Sequence, residues 1–180
     1  MTSHPQPNLP PSRERGESRS SNPLSSGGQI ETHSEDETRA FGAQLAAATS
    51  PGDSLLLLGS FGVGKTTLVQ GIGTGLGIEG VVNSPSFVIA NEYQGRLPLY
   101  HVDLYRVEEM DQTTLEALAE YFGGDGVCVV EWPQSLPHDL IDDAIRIELS
   151  VTGETSRRIR LVDGGPRYQA VFERRALVES

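Results

Sequence analysis

The spacing of apolar residues changes period repeatedly along this chain, and each change marks an element. Ser34 and Glu37 stand at capping-box spacing. Phe41, Leu45 and Ala48 follow on one helical face, which predicts a helix running to about residue 48. Pro51-Gly52 turns the chain into Leu55-Leu56-Leu57-Leu58, a short apolar run that predicts a buried strand. A glycine-rich loop then leads into a helix over residues 66–76, with Gly77 as its C-cap. Gly71, Gly73 and Gly75 interrupt that helix at up to ~1 kcal/mol each relative to alanine; close packing against the sheet is the expected reason. Residues 81–87 read as a loop entering a strand. Phe87, Ile89, Asn91 and Tyr93 share one face of it, and Val88, Ala90 and Glu92 the other. The turn Gln94-Gly95-Arg96 returns the chain through a strand over residues 97–103, so the sheet is mixed. Asp111 caps a helix carrying Leu115, Leu118, Ala119 and Phe122, ended by Gly123-Gly124. Val127-Cys128-Val129-Val130-Glu131 is an apolar run closed by a carboxylate, as in a strand covered on both faces. Ile145, Ile147, Leu149 and Val151 alternate with polar residues, residues 152–156 turn, and residues 157–162 pair back. Residues 168–178 read as a loose terminal helix. The whole is an α/β pattern without an internal repeat.

Composition divides the chain into three parts. Residues 1–33 are rich in Ser, Pro, Gly and Arg and hold too little apolar surface to order themselves, so they are expected to be a disordered tail. Residues 34–163 form the folded domain, and residues 164–180 a C-terminal extension. The net charge is −11. Arg13, Arg15 and Arg19 balance Glu14, Glu17 and Glu31, so residues 34–180 carry all of it. Such a domain repels a phosphate backbone, which argues against direct nucleic-acid binding by the chain alone. Affinity for a small anion must come from a focused local site. Cys128 is the only cysteine, so no intrachain disulfide forms, which fits a reducing cytosol. With neither an apolar leader nor a membrane-length run, the expectation is a soluble, cytoplasmic protein.

That focused site is legible. Residues 59–66, Gly-Ser-Phe-Gly-Val-Gly-Lys-Thr, match the P-loop pattern G-x-x-x-x-G-K-[ST] between an apolar strand and a helix. Gly59, Gly62 and Gly64 free the backbone to aim successive N–H groups at one anion, and the helix N-terminus adds its partial positive charge. The fold class is therefore an α/β, P-loop NTPase-like three-layer sandwich with a small mixed sheet. The expected nucleotide contacts in the loop are Phe61, Gly62, Val63, Gly64, Lys65, Thr66 and Thr67. Lys65 is the only lysine in the chain, where every other basic side chain is arginine. A phosphate-site lysine acts as a compact point charge where a forked guanidinium fits poorly. Read as a loop residue facing solvent, it makes few core contacts. Thr66 should hold Mg²⁺.

Phosphate chemistry needs a metal-side carboxylate at the C-terminal end of a neighbouring strand. Asp103 and Glu131 both close such strands. Either is placed to hold Mg²⁺ or to orient the attacking water. The hydroxyls of Ser84-Pro85-Ser86 suit a loop that senses the terminal phosphate, a simple proline turn being the plain alternative. Trp132 either walls the site or fills the core. Arg106 either stabilises developing charge or pairs with Glu108 or Glu109. His101 and Cys128 read as packing residues.

Four motifs taken together, residues 59–67, Ser84-Pro85-Ser86-Phe87, His101-Val102-Asp103-Leu104-Tyr105-Arg106 and Val130-Glu131-Trp132-Pro133, resemble the TsaE family over roughly residues 38–162. The resemblance implies a small P-loop domain that binds ATP and Mg²⁺. It implies a weak ATPase that works with the proteins TsaD and TsaB, which attach the threonylcarbamoyl group to adenosine 37 of tRNA; tRNA would be met only through them. Carried over, Lys65 and Thr66 take phosphates and metal, Glu131 is the metal-side acid, Asp103 the second acid, and Thr38 the helix threonine near the base. Ser60-Phe61-Gly62-Val63 replaces the usual Asp-Leu-Gly-Ala, and Ser86 the usual threonine, with glycines and hydroxyl retained. Two rivals stand beside this reading: a P-loop small-molecule kinase, and a nucleotide-dependent scaffold that barely hydrolyses. A small GTPase is excluded, because the lysine of an [NT]-K-x-D element has no counterpart when Lys65 stands alone.

Overall fold

The computed structural model describes residues 28–85, 89–107 and 109–178. In chain order they form β1 (Gln29–Thr32), α1 (Glu35–Ala46), β2 (Ser54–Leu58), α2 (Lys65–Gly75), β3 (Ala90–Tyr93), β4 (Leu99–Asp103), α3 (Gln112–Ala119), β5 (Val127–Glu131), β6 (Ile145–Val151), β7 (Arg157–Asp163) and α4 (Pro166–Val178). The strands make one 7-stranded sheet in the order β1-β7-β6-β2-β5-β4-β3. β2 runs parallel to both β5 and β6, and β4 parallel to β5. The remaining pairs are antiparallel. The apolar runs read as doubly covered strands behave so. Leu55, Leu57, Val127 and Val129 pack into the core beneath α1, α2 and α4. Leu56, Cys128 and Val130 pack into a second core with Leu118 of α3 and with Leu136 and Ile141. Three layers result. α3 is the least buried helix, with only Leu118 of its own residues fully buried.

Ser34 caps α1 as its spacing demands: Glu37 N donates to Ser34 Oγ at 3.1 Å, and His33 N to Glu37 Oε2 at 2.8 Å. The glycines of α2 serve a purpose other than contact with the sheet. A Cβ on Gly71 would lie 2.1 Å from Arg39 O, and one on Gly75 would lie 2.6 Å from Ala43 O. Both of those carbonyls belong to α1. The two helices cross backbone against backbone, and only glycine leaves room for that approach.

Both ends of the expected domain need correction. Residues 29–32, assigned to the tail, form the edge strand β1, paired antiparallel with β7 from Gln29↔Arg160 to Thr32↔Arg157. Four residues with two inward side chains cannot order themselves, but they complete an existing strand edge. Ile30 and Thr32 are buried by it. Residues 1–27 lie outside the described residues. The terminal helix is docked, not loose. Tyr168, Val171 and Phe172 recur at helical spacing and are buried. Phe172 meets Phe41 edge-on with ring centroids 4.9 Å apart, and Tyr168 Oη donates to Asp53 Oδ2 at 2.7 Å. Residues 164–178 thus belong to the same core. No helix among the described residues is long and apolar enough to cross a membrane.

Candidate functional site

The parallel strands deliver the candidate groups to one edge. Leu57 of β2 and Asp103 of β4 both pair in register with Glu131 of β5. The two acids therefore stand side by side at the C-terminal edge, next to the loop that leaves β2. In that loop Gly59, Gly62 and Gly64 have φ of +138°, +71° and +105°, conformations that L side chains rarely adopt.

Lys65 opens α2 and is buried, at 4% exposure, contrary to the expectation of a solvent-facing side chain. The sequence places it correctly in the loop, but Trp132 covers it. The Lys65 ammonium lies 3.8 Å from the centroid of the Trp132 ring. It donates to Gly59 O at 2.9 Å and Ser60 O at 3.0 Å. Burial lowers its pKa from the usual 10.5, while the Glu131 and Asp103 carboxylates act in the opposite direction. Trp132 reaches this position through a left-handed backbone, φ 59°. For a bulky residue that is a strained conformation, of the kind that clusters at functional sites. Tyr105 packs on Trp132 at 4.9 Å and Phe61 on Tyr105 at 5.4 Å. Phe61 itself is 76% exposed at the tip of the loop.

Thr66 Oγ1 donates to Glu131 Oε1 at 2.8 Å. Glu131 is buried, and the same oxygen shares a hydrogen bond of 3.0 Å with His101 Nε2. Asp103 is engaged differently. Its Oδ2 accepts from Ser84 Oγ at 2.5 Å and its Oδ1 from Tyr105 N at 3.0 Å. The two strand-ending acids are thus engaged differently. Glu131 meets the loop hydroxyl, and Asp103 holds the Ser84 segment.

The family model described as "Threonylcarbamoyl adenosine biosynthesis protein TsaE" matches residues 32–159. The chain belongs to the TsaE family. The tRNA threonylcarbamoyladenosine biosynthesis protein TsaE of Bacillus subtilis is 43% identical over 139 residues, which is 77% of this chain and 87% of that protein. Its counterpart in Streptomyces coelicolor is 38% identical over 132 residues, covering 69% and 86%. The crystal structure of YdiB from Bacillus subtilis superposes with a TM-score of 0.66 at 36% identity, covering 84% of this chain and 95% of that one. Membership in this P-loop family implies nucleotide binding.

With the TsaE frame in hand, the remaining residues fall into place. Thr38 is buried, accepts from Thr32 Oγ1 at 2.8 Å and donates to Ser34 O at 3.1 Å. It lines a cleft of about 220 Å³ with Gly62, Gly64, Thr67, Thr155 and Arg157. The Val63 side chain points into the core at 0% exposure, so this residue can offer a nucleotide only its backbone. Ser86 and Phe87 lie outside the described residues. Arg106 is exposed. Sequence reasoning missed two residues. Arg157 Nε donates to Val63 O at 2.9 Å, and its Nη1 donates to Ser156 O at 2.9 Å, clamping the β6–β7 turn to the phosphate loop. The signal was available, because strand alternation puts Arg157 on the inward face with Ile159 and Leu161. His101, read as packing, is fully buried but hydrogen-bonded at both ring nitrogens, to Glu131 and to Asn83 O. Its alternation with Asp103 along β4 carried that signal.

Proposed function

We propose that this chain is a Mg²⁺-dependent ATP hydrolase of tRNA threonylcarbamoyladenosine biosynthesis, cytoplasmic, slow alone and accelerated by TsaD and TsaB. The observation that carries the reading is the contact of Thr66 with Glu131 beside Lys65, in a chain that matches TsaE over residues 32–159. Mg²⁺ is commonly held by one or two protein groups together with substrate phosphates, and a loop hydroxyl beside a buried carboxylate fits that chemistry. Thr66 and Glu131 would hold the ion. When bound, it would offset the negative charge of the phosphates. Lys65 exchanges its two loop carbonyls for phosphate oxygens. The loop N–H groups and the start of α2 take the remaining phosphate charge. Thr38, Thr67 and Arg157 border the cleft that would receive the nucleoside. Trp132 covers the lysine, and lower water access there strengthens its pull on a phosphate.

The kinase alternative asks for an arginine cluster on one face. Arg157 turns inward to the loop, whereas Arg160 pairs outward with Glu148 at 2.6 Å. The acidic surface supports docking to proteins, with tRNA held by them. The fate of the γ-phosphate tests the reading. With labelled ATP, Mg²⁺, the partner proteins and tRNA present, label should appear as inorganic phosphate. Filter binding of tRNA by the lone chain at physiological salt should stay at background. Label transferred to a small-molecule acceptor would establish the kinase instead.

A further inference from the structure

His101 touches both the candidate metal-side acid and the segment leading to the Ser84-Pro85-Ser86 motif. It is wholly buried in the middle of β4. A carbonyl oxygen only accepts, so the 3.2 Å contact with Asn83 O makes His101 Nδ1 a donor. Nε2, on the other edge of the ring, lies 3.0 Å from Glu131 Oε1. Both edges of the ring are therefore committed, and the imidazole cannot rotate without breaking one of them. The Asn83 end is firmly held: Tyr93 Oη bonds to Asn83 N and O at 3.1 Å each, and Asn91 Nδ2 donates to the same carbonyl at 3.3 Å. The next residue, Ser84, is bound by Asp103, two positions beyond His101 on the same face of β4.

We propose that His101 is a positioning residue that couples Glu131 to the Asn83–Ser84 segment, so that filling the phosphate site is registered in that segment. The proposal rests on the nucleotide-binding reading of the site. The path is contiguous: Thr66 to Glu131, Glu131 to His101, His101 to Asn83. A nucleotide that takes Thr66 and Glu131 away from each other alters the load on Oε1. His101 passes the change across the sheet edge, because its far nitrogen is tied to backbone and not to solvent. Groups that hydrogen-bond a metal-ligating side chain, as His101 does Glu131, typically change metal affinity or activity 10–100-fold when removed.

Two conservative variants separate coupling from packing. Glutamine places its amide near the Nε2 position and keeps the Glu131 contact; asparagine places its amide near Nδ1 and keeps the Asn83 contact. The full chain is titrated with ADP–Mg²⁺. Trp132, the only tryptophan, reports binding by fluorescence. Hydrogen exchange at the Asn83 and Ser84 amides reports the segment. In the parent chain ADP–Mg²⁺ should shift the fluorescence and slow that exchange. His101→Gln and His101→Asn should keep the fluorescence shift and lose the exchange response. The kcat for ATP should fall 10–100-fold in His101→Asn and less in His101→Gln, with KM little changed. Variants that bind and retain the parent's exchange response overturn the coupling, as does a parent chain whose fluorescence shifts while those amides stay unchanged. The second outcome decides the matter even where the variants fail to fold. No fluorescence response in the parent removes the nucleotide-binding reading, and the coupling falls with it.

Discussion

Glu131→Gln is expected to leave ATP binding close to that of the parent chain and to slow single-turnover ATP cleavage by roughly 10²–10⁴-fold, the range for loss of a positioned acid or base. Glutamine keeps the size of the buried side chain and one oxygen able to accept from Thr66, so the fold and the loop survive. On the proposed reading it removes the charge that would help hold the metal, and the basicity that would orient a water. Because that contribution is larger in the transition state than in the bound ground state, the loss falls on kcat. Asp103→Asn should cost less. Asp103 is tied to Ser84 Oγ and Tyr105 N, and its role is to hold the chain on either side of the site. Quench-flow measurement of phosphate release from enzyme-bound ATP ranks the two. The opposite ranking would mean that the metal side belongs to β4 and not to β5.

Lys65→Ala is expected to weaken ATP–Mg²⁺ binding by roughly 10²-fold or more, from the loss of about 3 kcal/mol of charge-assisted contact. Its effect on the fold is the less obvious half. Lys65 is buried, and deleting it removes two carbonyl contacts and a cation–π contact with Trp132. Burial has also lowered its pKa, so the folded chain holds that proton less tightly than the unfolded chain does. The ionised lysine therefore works against folding at neutral pH, and this burden lifts as pH rises from the folded pKa toward 10.5. Alanine removes the burden and the contacts together, so the thermal midpoint should move little. Calorimetric titration and thermal unfolding measure both halves. Near-parent affinity would remove the phosphate-site assignment.

The parts of this molecule visible in its sequence are those governed by local patterning. The doubly covered runs of β2 and β5, the Ser34 cap, the Asp111 cap and the phosphate loop each depend on residues close together in the chain. What stayed hidden depends on distant neighbours. Four residues of β1 carry no signal of their own; they order because β7 leaves an edge to fill. Gly71 and Gly75 signalled only a weak helix, since the carbonyls of Arg39 and Ala43 that demand glycine belong to another element. The burial of Lys65 followed from the left-handed turn at Trp132, which no propensity rule gives to tryptophan. His101 looked like core because it is core; its two hydrogen bonds reach 18 and 30 residues along the chain. Asp103 and Glu131 both read as strand-ending acids, but that Glu131 meets Thr66 and Asp103 meets Ser84 depends on register and on contacts far along the chain.

The steady-state ATP turnover of the lone chain, compared with its turnover after addition of the TsaD–TsaB complex, tests the proposed function most directly. Arg157 is engaged with backbone carbonyls and Arg106 is exposed, so neither arginine is held ready to add to Lys65 in neutralising transition-state charge. Charge supplied in trans is worth roughly 10³–10⁵ in rate for P-loop enzymes. The predicted result is slow turnover alone and a rise of at least tenfold, toward that range, with the partners present. Fast hydrolysis by the isolated chain that is indifferent to TsaD and TsaB would contradict it.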